Sequence, residues 1–221
     1  MITITPERKD IAQPSKTKKY ASSIRLWHWL NALVITGSLL TVLLNSTLLK
    51  TRKNALLIKS DMLHNGVTVT DQQSRSAAHV LSDKVWDVHI YFGYALAALL
   101  IFRLVAEFFL LADQRLMRKI KYAYHQYYTI KKNREASRHE FWVKTLYAIF
   151  YLLLMVTVIT GFCLVFEDEV PALKELRFIR SIHQINMYLI LAFIAIHLAG
   201  VYLAERKKES KGIVSDMING G

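Results

Sequence analysis

The sequence predicts an all-α integral membrane protein, a four-helix bundle with both termini in the cytoplasm. Three observations lead there. The chain of 221 residues is 53% hydrophobic, and its apolar residues gather into four stretches long enough to cross a bilayer. Lys and Arg are distributed unequally between the connecting segments. Four histidines stand at the ends of three of those stretches.

The spans are expected near residues 26–44, 85–111, 141–166 and 178–203, as a single membrane domain covering 1–221. A polar stretch of about 25 residues precedes the first span, and no small-residue cleavage motif follows it, so no separate signal peptide is expected. Lys and Arg number 6 in residues 1–25, 8 in 112–140 and 4 in 204–221, against 6 in 45–84 and 2 in 167–177. The positive-inside rule then assigns both termini and the middle connector to the cytoplasm. The formal charge of +12 is read as a topology signal and an attraction to anionic lipid. Nucleic acid is not an expected partner, because no stacking platform accompanies the charge. The segment 45–84 reads as a long, basic, polar outer loop, and 113–140 as an extended basic helix rich in tyrosine.

The single cysteine, Cys163, lies in the third span. It can form no internal disulfide, and one thiol excludes iron–sulfur clusters and thiolate zinc sites within this chain. With no C-x-x-C-H motif, any haem is held by coordination alone.

In the last span His183 and His197 are fourteen residues apart. That spacing advances a helix by roughly 21 Å and returns to within about 40° of the starting face. Imidazole inside lipid is costly unless partnered, and haem iron suits two such sites provided other helices supply the opposing ligands. His28 opens the first span and His89 opens the second. With alternating helix direction, His89 matches His183 in depth on the outer side and His28 matches His197 on the inner side. The expectation is two non-covalent b haems with bis-histidine ligation, their irons roughly 20 Å apart. Met155 and Met187 are read as packing residues rather than thioether ligands. His64, His79, His125 and His139 are read as solvated, with His79 near enough in sequence to cap the outer haem edge.

Propionates need donors, and Arg matches a carboxylate with its planar fork. Arg103 lies fourteen residues after His89, on the same face and at the inner haem's depth. It is expected to contact a propionate; the alternative is an interfacial Arg paired with Glu107 one turn on. Arg25, one turn before His28, is a second inner candidate, and Arg180 and Lys84 are outer ones. Gly93 and Gly200 either let the macrocycle approach the backbone or serve helix packing. Gly37 and Gly161 carry no evident role.

RLWHWLNAL, residues 25–33, resembles the first-helix signature of the b-type cytochrome subunit of nickel–iron hydrogenases. That subunit groups with the bacterial di-haem cytochrome b561 proteins and the formate dehydrogenase gamma subunit. His89-x3-Gly93-x9-Arg103 is similar to their second helix, and the fourteen-residue His183–His197 spacing to their last. The resemblance implies that His28 and His197 bind the cytoplasmic-side haem, and His89 and His183 the periplasmic-side haem. It implies transmembrane electron transfer in the bacterial cytoplasmic membrane, between a periplasmic redox protein or hydrogenase-like subunit and quinone as substrate. Fold and family do not by themselves fix the donor. Arg25, Asn31, Arg103, His139 and Lys144 are the candidates for a quinone site near the inner haem, with Lys144 read rather as snorkelling at the start of the third span, and no catalytic residue is assigned. A stand-alone quinone-linked superoxide oxidase, drawing its anion to Lys50, Arg52 and Lys53, is the alternative. A non-haem scaffold or transporter is the bland reading.

Overall fold

The computed structural model describes residues 21–109, 115–130, 134–206 and 212–220. The expected span of 85–111 therefore ends two residues outside the described part, and the first twenty residues lie outside it too, as do the side chains of 130, 134–137, 139 and 140. Among the described residues the secondary structure is helical throughout. The helices are α1 (Ser22–Thr47), α2 (Thr51–His64), α3 (Asp71–Phe109), α4 (Leu116–His125), α5 (Arg134–Val165), α6 (Pro171–Lys174), α7 (Phe178–Arg206) and α8 (Ile213–Asn219). A π-helical segment, Gln126–Ile130, follows α4.

Four helices are long and apolar enough to cross a membrane: α1, α3, the 141–165 part of α5, and α7. Their leucines, phenylalanines and valines remain largely exposed. That is what lipid-facing helices show, since lipid, not a protein core, takes up those side chains. Inter-residue contacts divide the chain into two units, one made of residues up to Trp29 with those from Leu99 on, the other of Leu30–Ala98.

In the first unit α5 and α7 pack together, α4 packs on α5, and α8 on α7. Asn186 of α7 clips the first pair: its Nδ2 donates to the Leu153 carbonyl (2.8 Å) and to Thr157 Oγ1 (2.6 Å) on α5. Phe150 and Phe193 stack across the same seam with ring centroids 4.3 Å apart. Proline at the first position of α6 suits a helix start, where its missing N–H is not needed. The middle connector is not the single extended helix expected. After α4 and its π-helical segment the chain returns as α5, and α4 lies against α5 with Ala123 fully buried. The reason is amphipathicity: Leu116, Ile120 and Ala123 make one apolar face that finds cover only by folding back.

In the second unit, residues 45–84 are a helical hairpin rather than a polar loop. Two local signals build it. Asn65–Gly66 closes α2: Gly66 is left-handed (φ 77°), its N–H donates to the Leu63 carbonyl (3.0 Å) and the Val67 N–H to the Met62 carbonyl (2.9 Å). That is a Schellman closure. Thr70-x-x-Gln73 opens α3 with a reciprocal capping box, the Thr70 N–H donating to Gln73 Oε1 (2.8 Å) and the Gln73 N–H to Thr70 Oγ1 (3.2 Å). Ser82 Oγ donates to Asn45 Oδ1 (3.2 Å), Lys59 pairs with Asp71, and the small residues Ala55, Ser74 and Ala78 are buried. Lower in the unit, Gly37 is required by close packing: a Cβ there would meet the Phe92 ring at 2.4 Å.

Candidate haem-binding site

His28 near the start of α1 and His197 near the end of α7 come together with ring centroids 6.1 Å apart and planes at 63°. Two imidazoles on one iron, at about 2 Å per metal–nitrogen bond, place their centroids ~6.3 Å apart. The observed spacing therefore fits a bis-histidine site. Both rings are half-buried, and among the described residues no group of three or more His, Cys, Asp or Glu side chains converges to make a metal cage. Aromatic side chains wall the pair: Trp29 edge-on to His28 (5.3 Å), Phe193 parallel to His197 (5.9 Å, 5°) and Tyr147 at 6.3 Å.

His183 on α7 and His89 on α3 share a different local device. Thr160 Oγ1 on α5 donates to the Val156 carbonyl (2.6 Å) and lies 2.8 Å from His183 Nδ1. A hydroxyl has one proton; with that proton on the carbonyl, Thr160 accepts from Nδ1–H of His183. Thr41 repeats this in the other unit, donating to the Ser38 carbonyl (2.6 Å) and lying 2.9 Å from His89 Nδ1. Each threonine thus orients its imidazole through Nδ1, the kind of partner that sets the ring of a metal-binding histidine. Sequence reasoning missed both threonines. The signal was a hydroxyl in an apolar span, and only the fold says which hydroxyl meets a histidine. Gly161, next to Thr160, faces the same ring: a Cβ there would lie in ordinary contact with His183 Cε1, at 3.5 Å.

Arg103 is buried, at 5% exposure, which is not the snorkelling position. Its Nη1 pairs with Glu107 Oε2 (2.8 Å) and its Nε donates to Tyr151 Oη (2.9 Å). The guanidinium carbon lies 5.3 Å from the Tyr151 ring centroid and 6.0 Å from that of Trp27. The Glu107 partner anticipated as the alternative is present, and these contacts occupy Nε and one arm of the fork. Arg25 points elsewhere with its terminal nitrogens: Nη1 donates to the Ile218 carbonyl of α8 and Nη2 to Ser22 Oγ (3.2 Å). Its Nε is buried without a partner, an orphaned donor one turn from His28 that suits an anionic propionate. Trp29 Nε1 also donates to α8, at the Met217 carbonyl (3.3 Å), and Glu205 accepts the backbone N–H groups of Gly212 (3.0 Å) and Val214 (2.8 Å). The last helix is therefore pinned beside the His28 turn, a contact no sequence pattern announced.

The remaining candidates spread out. Arg180 pairs with Glu167 (2.8 Å) and Lys84 with Asp87 (3.2 Å), all at exposed or half-buried positions. Asn31 is buried with Oδ1 unpartnered. Lys144 lies over the Tyr147 ring at 5.8 Å. Positions 93 and 200 have open space where a Cβ would be. His64, His79 and His125 are exposed; the His139 side chain lies outside the described residues. Met155 is exposed and Met187 half-buried.

The sequence model of the prokaryotic cytochrome b561 family matches residues 19–220, which takes in all four spans and all four span-end histidines. No curated protein and no solved structure matches the chain.

Proposed function

Since the chain belongs to the prokaryotic cytochrome b561 family, and is thereby a multi-pass b-type cytochrome of electron transfer, we propose that it holds two b haems and passes electrons between a periplasmic redox protein and the quinone pool. The 6.1 Å approach of His28 and His197 carries this reading. It would supply one pair of haem ligands at the cytoplasmic end; His89 and His183, each with Nδ1 against a threonine hydroxyl, would supply the other at the periplasmic end. Haem iron contributes reversible one-electron transfer. The chain's own residues do the rest. Four imidazoles would hold the irons at two depths, Trp29, Tyr147 and Phe193 line the inner pair, and Arg25 Nε would offer an inner propionate a donor. A hydrogenase-like subunit is one form the periplasmic partner takes. Quinone is placed at the inner end, where its protons are drawn from the cytoplasm. The positive-inside pattern gives the orientation in the cytoplasmic membrane.

A pyridine haemochrome assay on the purified protein tests this. Two haems per chain are expected, both removed by acid acetone. His28→Ala and His197→Ala should each lose one and the same haem, and His89→Ala and His183→Ala the other. One haem per wild-type chain, or His28 and His183 variants losing the same haem, overturns the scheme.

A further inference from the structure

Residues 48–84 stand away from the bilayer. A span needs about 20 residues, whereas α3 has 39. The charged residues Asp83, Lys84 and Asp87 mark where its apolar part begins. Ser82 bonds to Asn45 and Asp71 to Lys59, so α2 climbs antiparallel along the first turns of α3. The eleven residues from Ser82 to Asp71 put the Lys59 contact ~16 Å beyond the Asn45 contact. Lipid does not reach that level.

Even so, the hairpin exposes large apolar side chains. Leu56 and Leu63, two turns apart on one face of α2, are each 64% exposed, and Leu57 beside them is 56% exposed. Apolar side chains grouped on a projecting element outside the membrane mark an interaction surface. Lys50, Arg52 and Lys53 rim it, all exposed and with no acidic partner among the described residues, and Arg75 is exposed on the neighbouring first turns of α3. Three cations at the start of α2, with no acidic residue in the first turn and no side-chain cap, oppose the helix dipole. An approaching anionic surface relieves that opposition.

We propose that this hairpin is the docking platform for a water-borne, acidic redox protein, whose apolar redox edge seats on Leu56 and Leu63 while its carboxylates meet Lys50, Arg52, Lys53 and Arg75. The proposal rests on the electron-transfer reading above and names the chemistry of its periplasmic partner. His89 lies seven residues below Ser82 on the same helix, ~10 Å along the axis, so a partner bound here delivers its electron at the outer histidine level. Charge guides the encounter and the leucines hold the complex.

The test uses the full-length protein in nanodiscs, with haem content measured first, and a small acidic c-type cytochrome as the probe. Binding is read by interferometry, which does not need haem in the nanodisc protein; reduction is read by stopped-flow. Salt-sensitive binding is expected, weakened at least tenfold by Arg52→Glu/Lys53→Glu and again by Leu56→Ser/Leu63→Ser, with reduction by dithionite unchanged in every variant. A basic c-type cytochrome should not bind. Binding indifferent to both pairs of changes overturns the proposal. So does a reduction rate that follows the charges and ignores the leucines, the signature of steering a small anion such as superoxide. Absence of haem from the wild-type protein would instead overturn the electron-transfer reading, whatever the binding shows.

Discussion

Thr160→Val isolates one hydrogen bond at the outer histidine level. Valine keeps the branched shape and removes the hydroxyl that lies 2.8 Å from His183 Nδ1. The imidazole then loses that hydrogen-bond partner inside an apolar span, a cost of about 1–3 kcal/mol. Loss of the partner that orients a metal-bound histidine typically weakens metal holding 10–100-fold, which is ~1.4–2.7 kcal/mol, so the two routes agree. The sign of the redox change follows as well. A histidine that donates from Nδ1 is a more basic ligand and favours ferric iron. Removing the acceptor should raise the midpoint of that haem by tens of millivolts, about 59 mV for each tenfold difference in holding the two oxidation states. Spectroelectrochemical titration and haem counting after purification read both effects. Thr160→Ser should restore most of the wild-type behaviour. Thr41→Val should move the same haem, because His89 and His183 share one iron in this scheme. If Thr41→Val and Thr160→Val shift different haems, or neither moves a midpoint nor loses haem, the reasoning fails.

Two further outcomes follow from the packing. Arg103→Leu strands the Glu107 carboxylate, whose partner is buried, and should destabilise the protein by ~3 kcal/mol; adding Glu107→Leu should recover most of that in thermal unfolding, and equal instability of single and double variants would dismiss the ion pair as the cause. Thr70→Ala removes the side-chain arm of the α3 capping box, the acceptor of the Gln73 N–H, and should cost about 1 kcal/mol, seen as faster hydrogen exchange in residues 71–75 with the spectrum of the haems unchanged; unaltered exchange there would mean the box does not hold the hairpin.

Much was fixed by local pattern. The four spans follow from runs of apolar residues, because a bilayer accepts only continuous, internally bonded helix of a set length. The 183/197 spacing put two imidazoles on one helix face for the same reason, and RLWHWLNAL with His89 pointed to the family that the match over 19–220 establishes. The hairpin was also written locally, in Asn65–Gly66 and Thr70-x-x-Gln73, but its polar composition masked those signals. What depends on neighbouring helices was not legible. Periodicity places Arg103 on the inner level but does not show its contacts to Glu107 and Tyr151; packing supplies these, because a buried guanidinium demands acceptors. It gives Arg25 a position one turn from His28 but not its bonds to α8. It counts Thr41 and Thr160 among many hydroxyls in apolar helices, each satisfied by its own backbone. Only the fold brings those two against imidazole nitrogens, because a threonine whose proton is spent on its own helix still has a lone pair to offer whatever packs beside it.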